Sequence, residues 1–226
     1  MKYDIVIFGT NKFSNLNISK DNSNGYYIIH ELLKRDDIGK ILFIDILPVK
    51  RIQALKEIFT IFIKQFKPLI KRGVFSYCEE IQKDKLYHYS TILSIINWKS
   101  LYKDLANLVK TLAFNNLILW SHYPLNVDYF DYFKNKTSVI YLDKDWQKYK
   151  TLKKKSTIDY IDVLRKNYNE ISDKADFIFT ASDDLLEIFM GHNNSYWITD
   201  PNKEKIADYN WKELVEEMFS IIKTKK

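Results

Sequence analysis

Cysteine, glycine and long apolar runs are scarce in this sequence, and each scarcity removes a class of protein. Cys78 is the single cysteine, so there is no internal disulfide framework and no cysteine cluster for zinc or iron–sulfur, which fits a reducing compartment. Five glycines and no internal repeat weigh against propeller, solenoid and sandwich architectures. Only Gly9 and Gly25 frame the polar stretch from Thr10 to Asn24, so the G-x-G-x-x-G dinucleotide fingerprint is absent. Walker A is absent too, and Ser14 and Ser182 lack the G-x-S-x-G context of a hydrolase nucleophile elbow. His30, His88 and His192 stand at no metal-ligand spacing, and no metal site or other cofactor is expected.

The longest charge-free stretch, between Lys110 and Asp128, is interrupted by Asn115, Asn116, Ser121, His122, Pro124 and Asn126 and does not read as a membrane span. Met1-Lys2-Tyr3-Asp4 leads into an apolar run of a few residues, without the h-region and cleavage site of a signal peptide. A cytoplasmic chain is the expectation.

What is present is material for a core. Hydrophobic residues make up 46% and aromatic residues 15% of 226 residues, with 28% charged, a balance that favours one large α/β domain over disorder. The net charge of +6 suits either an anionic partner or a solvated, lysine-rich surface. No RNP-like or helix-turn-helix pattern accompanies it, so nucleic acid is not an expected partner.

Short apolar runs alternate with longer segments of helical period, the pattern of a mainly parallel sheet of about six or seven strands, doubly wound in the Rossmann-like manner with helices on both faces. Strands are expected at Tyr3 to Gly9, Lys40 to Asp45, Leu86 to Tyr89, Asn116 to Ser121, Ser138 to Leu142 and Phe177 to Thr180, with a weaker one at Ser195 to Thr199. Helices are expected at Gly25 to Arg35, Val49 to Phe66, Lys99 to Ala113, Val127 to Phe133, Ile158 to Lys174, Ser182 to Met190 and Trp211 to Lys223. Residues 1–200 form the domain in this reading, and 201–226 a linker and a helix that packs back on it.

Three strand ends carry polar residues that the carboxyl-end rule for open α/β sheets would bring to one cleft. They are Thr10 and Asn11, with Ser14 beyond them, then Ser121-His122-Tyr123-Pro124, then Asp143-Lys144-Asp145-Trp146. Asp143 or Asp145 can serve as a general base toward an acceptor hydroxyl, or can cap the following turn and pair with lysines. His122 can be that base, a phosphate contact, or a hydrogen-bonded histidine at a strand end. Two basic regions flank these candidates. Arg51, Lys56, Lys64, Lys67, Lys71 and Arg72 interleave with apolar residues in a stretch that can rest on an anionic bilayer or bury its apolar side against the sheet. Lys144 to Lys155 holds six lysines against Asp145.

The order of four segments resembles bacterial GT-B glycosyltransferases, in the group related to retaining family 4 enzymes and to teichuronic-acid or exopolysaccharide transferases. The segments are Asp45-Ile-Leu-Pro-Val-Lys-Arg51, Ile118-Leu-Trp-Ser-His-Tyr-Pro-Leu125, Tyr141-Leu-Asp-Lys-Asp-Trp146 and Ala175-Asp-Phe-Ile-Phe-Thr-Ala-Ser182, and the likeness runs to about Met190. It implies an N-terminal, acceptor-side domain in cell-surface polysaccharide or glycolipid synthesis. Asp143, Asp145 and His122 would sit at the chemistry, and Thr10, Asn11, Ser14, Ser121, Tyr123 and Trp146 around the acceptor. Such enzymes need no divalent ion. Ile198-Thr-Asp-Pro-Asn-Lys203 stands where the family has its linker, and the donor-binding domain is expected to be missing from this chain. The implied partners are a saccharide or lipid-linked acceptor and a nucleotide-sugar donor held by a separate subunit. A non-catalytic binding or scaffold protein, peripheral on the inner face of the membrane, is the alternative.

Overall fold

The computed structural model describes residues 1–9, 24–45, 63, 69–73, 76–91, 98–122, 124, 127–134, 136–143, 159–198 and 210–225. Its strands are β1 (Tyr3–Gly9), β2 (Ile38–Asp45), β3 (Lys71–Arg72), β4 (Ser76–Gln82), β5 (Leu86–Thr91), β6 (Leu117–Ser121), β7 (Lys136–Leu142), β8 (Phe177–Thr180) and β9 (Ser195–Trp197). The helices are α1 (Asn24–Lys34), α2 (Trp98–Thr111), α3 (Asp159–Lys174), α4 (Asp183–Phe189) and α5 (Trp211–Thr224), with a 3-10 turn at Asp128–Asp131.

All nine strands lie in one sheet ordered β3-β4-β5-β2-β1-β6-β7-β8-β9. From β5 to β9 every neighbouring pair is parallel. Counted along the chain, these seven strands take the order third, second, first, fourth, fifth, sixth, seventh, which is the Rossmann order with its switch point between β1 and β6. The α/β expectation therefore holds. β1 is buried along its whole length, as a strand covered on both faces must be. Its alternation divides the core: Val6 and Phe8 face the layer of α2, α3, α4 and the 3-10 turn, while Ile5 and Ile7 face α1 and α5.

α5 shows why its sequence closes the second layer. Trp211, Leu214, Val215, Met218, Phe219 and Ile222 recur at helical spacing and are all buried, and Asn210 caps the first turn by accepting from the Glu213 N–H at 3.2 Å. Trp211 stacks on Tyr27 of α1 at 5.3 Å, and the Arg35 guanidinium lies 4.6 Å from the Phe219 ring centre. Asp37 joins the far ends of the two helices, bonded by Arg35 at 2.8 Å and Lys223 at 2.7 Å. Burial works to raise its carboxyl pKa, but these two cations prevail and hold it at about 2.

Two carboxylates tie strands together at the amino end of the sheet. Asp4 accepts from the Lys40 and Asn115 N–H groups, each at 2.6 Å. Asp176 accepts from the Ser138 N–H and hydroxyl, each at 2.7 Å.

The structure departs from the sequence reading at two places. β3 and β4 extend the sheet as antiparallel strands beside β5. Beyond its first three residues β4 is half-buried or exposed, so Ser-Tyr-Cys-Glu-Glu-Ile-Gln carries no clean apolar run to recognise. Asp84 turns this hairpin at φ 55°, a left-handed conformation that aspartate tolerates better than most residues. Where a helix was expected from Val127 to Phe133, only the 3-10 turn forms. Val127, Tyr129, Phe130 and Phe133 are all buried. The expected helix from Val49 to Phe66 lies outside the described residues except for Ile63. No helix among the described residues is long and apolar enough to cross a membrane.

Candidate functional site

The switch point brings the carboxyl ends of β1, β6 and β7 side by side. β1 ends at Gly9, opposite Asp45 of β2. A β-carbon at Gly9 would lie 2.6 Å from Phe43 Cε2, so only glycine lets the Phe43 ring fill this corner. Gly9→Ala should lower the urea midpoint by the equivalent of about 1–3 kcal/mol through overpacking, with Phe43→Leu in the same chain recovering part of the loss.

Successive side chains of a strand point to opposite faces, and this separates two of the expected site residues. Ser121 is fully buried on the α2 side, beside the phenol of Tyr129, whose pKa burial pushes up. Tyr129 in turn stacks on Phe8 at 4.5 Å. His122 lies toward the other face. Its N–H donates to the Phe8 carbonyl at 3.3 Å, carrying the β1–β6 ladder one residue past β6. Its ring meets Tyr141 edge to face at 5.2 Å and approaches Trp120 at 6.4 Å. Ser121 is level with Ile140 of β7, which puts His122 level with Tyr141. Asp143 follows immediately after the end of β7 and is half-buried.

Thr10, Asn11, Ser14, Tyr123, Asp145 and Trp146 lie outside the described residues, as do Arg51, Lys56, Lys64 and Lys67. Arg72 is described as backbone of β3. Lys71, also in β3, bonds the Asp104 carboxylate, which accepts the Tyr89 hydroxyl at 2.7 Å as well.

A second polar group at this end of the sheet was not foreseen. Phe43 and Glu79 both stand opposite His88, on β2 and β4, and Asp45 is two residues beyond Phe43 on the same face. His88 Nε2 bonds Asp45 Oδ2 at 2.9 Å, and Nδ1 bonds Glu79 Oε1 at 3.3 Å. The side chains of His88 and Asp45 are each 5% exposed and that of Glu79 14%. Burial acts to lower the imidazole pKa, but the hydrogen bonds and charges of Asp45 and Glu79 outweigh it, and the net shift is upward. Tyr77 sets its ring edge-on to His88 at 5.7 Å. Its phenol is raised by burial and by the same two carboxylates.

Both ring nitrogens are thus engaged, each by a different carboxylate. That arrangement holds an imidazolium between β2 and β4, and it does not present three donors to a single point. No group of three or more His, Cys, Asp or Glu side chains among the described residues could hold a metal ion. Spacing along the chain concealed the cluster, because Asp45 and His88 are 43 residues apart. The available signal was a histidine in the centre of an otherwise buried strand, since a buried polar side chain needs partners. No protein-family model matches this sequence, and no curated protein matches it.

Proposed function

We propose that this chain holds the acceptor-side domain of a GT-B-type glycosyltransferase of cell-surface polysaccharide or glycolipid synthesis, acting with a nucleotide-sugar held by a donor-binding domain. The observation that carries the reading is the adjacency of the β1, β6 and β7 carboxyl ends at the switch point, where ligands of open α/β sheets bind. Of the four segments that resemble these transferases, one begins at the carboxyl end of β2, two pass the carboxyl ends of β6 and β7, and one runs through β8.

In the transfer step, the acceptor hydroxyl oxygen bonds to the anomeric carbon while the bond to the nucleoside diphosphate breaks and the leaving group takes the electron pair. The hydroxyl proton passes to a base on this chain, for which His122 and the carboxylates of Asp143 and Asp145 are the candidates. Removing a general base lowers turnover by about 100- to 10,000-fold.

The test supplies the purified chain with nucleotide-sugars, a lipid-linked saccharide acceptor and the products of neighbouring genes, and follows release of nucleoside diphosphate. Acceptor-dependent release that needs both this chain and a donor-domain protein supports the proposal. His122→Ala and Asp143→Asn should then lower turnover with little change in thermal stability. Binding of the acceptor without turnover in any combination replaces transfer by a non-catalytic binding role, and absence of both ends the reading.

A further inference from the structure

A cavity of about 410 Å³ opens at the opposite end of the sheet from the proposed acceptor site. It lies between the end of α2, the turn into β6 and the segment after the 3-10 turn. Val109, Leu117, Phe133, Phe114 and Tyr132 supply its apolar and aromatic lining, and Lys110, Lys134, Asn115 and Asn116 its polar lining. No acidic side chain lines it. Neither lysine has an ion-pair partner among the described residues, whereas Lys34, Arg35, Lys174 and Lys223 all do.

The carbonyl end of a helix carries partial negative charge and would oppose an anion here. That charge is already answered from outside the cavity. Lys40 Nζ donates to the Leu112 carbonyl at 2.5 Å and approaches that of Ala113 at 3.3 Å, which leaves Lys110 and Lys134 uncommitted. A groove between α1 and α5 makes the contrast. It is lined by Glu31, Asp36, Asp37 and Glu216 as well as by Lys34, Arg35 and Lys212, and most of those charges pair with each other.

We infer that the cavity below α2 binds a small organic anion with an aromatic body, its ring on Phe114 and Tyr132 and its charge between Lys110 and Lys134. The volume falls in the range of small-molecule sites, about 300–1,000 Å³, which set polar groups among apolar and aromatic side chains. The site lies at the amino ends of the strands, so its occupant would be an effector and not the acceptor.

The experiment titrates the full chain with anilinonaphthalene sulfonate, and in parallel with uncharged phenylnaphthylamine, while circular dichroism confirms the fold. Expected is saturable binding of one sulfonate per chain, with amide shifts at Phe114 and Tyr132. Lys110→Gln with Lys134→Gln should weaken the sulfonate at least about tenfold, the loss of roughly one charge-assisted contact, and leave the uncharged probe unchanged. Ala106→Trp, which projects into the cavity, should displace both probes. No sulfonate binding, equal effects on both probes, or amide shifts confined to other parts of the chain would each overturn the inference.

Discussion

His88→Leu should destabilise the fold by about 3–5 kcal/mol, because it leaves the Asp45 and Glu79 carboxylates facing each other in a dry space with the cation between them removed. Equilibrium urea unfolding measures this directly. Replacing all three residues by apolar ones of similar volume should restore most of the loss, since removing a buried ion cluster whole is far less costly than breaking it. A His88→Leu chain within about 1 kcal/mol of the parent would show that the cluster does not carry the β2–β4 edge.

The same cluster fixes a pH dependence. The His88 pKa is raised in the fold above its ordinary 6.5, so the folded chain binds more protons than the unfolded chain between those two values. Stability from this group is therefore complete below pH 6.5 and is lost as pH rises through the folded pKa. Within that window the slope is at most about 1.4 kcal/mol per pH unit. His88→Leu should flatten the alkaline side of the profile, and nitrogen NMR at pH 6.5 should find the imidazole more protonated than a free histidine. A singly protonated ring there would contradict the geometry.

Asp4→Ala should cost about 2–4 kcal/mol, because it strands the Lys40 and Asn115 N–H groups that Asp4 holds at 2.6 Å. Asp4 is 6% exposed, and solvent reaches the exposed Asn115 more readily than the half-buried Lys40. Asp4→Asn, which keeps one acceptor oxygen, should lose about half as much. Amide hydrogen exchange distinguishes the cause: Lys40 and Asn115 should lose protection in Asp4→Ala before the centre of β1 does. The Cβ that Gly39 lacks would collide with the same carboxylate, so any larger residue at position 39 should reproduce part of the defect.

The parallel strands were readable because strands buried on both faces must be apolar throughout, and Ile5-Val-Ile-Phe8, Ile41-Leu-Phe-Ile44 and Leu117-Ile-Leu-Trp120 have that form. The β3–β4 edge was not, since a strand that leaves the core after three residues has neither a continuous nor an alternating pattern. Within the candidate site, Ser121 and His122 looked like one polar segment. Adjacent strand residues face opposite ways, and the register with β7 sends Ser121 into the α2 layer and His122 toward Tyr141.

Sequence alone determined the α/β class, since the lengths and periods of apolar runs state which segments must be covered on two faces and which on one. Only the tertiary structure decided which strands are neighbours. Backbone hydrogen bonds carry no address, so the meeting of Asp45 with His88 and the adjacency of β1 with β6 were decided by tertiary packing, while the tight β4–β5 hairpin set Glu79 opposite His88.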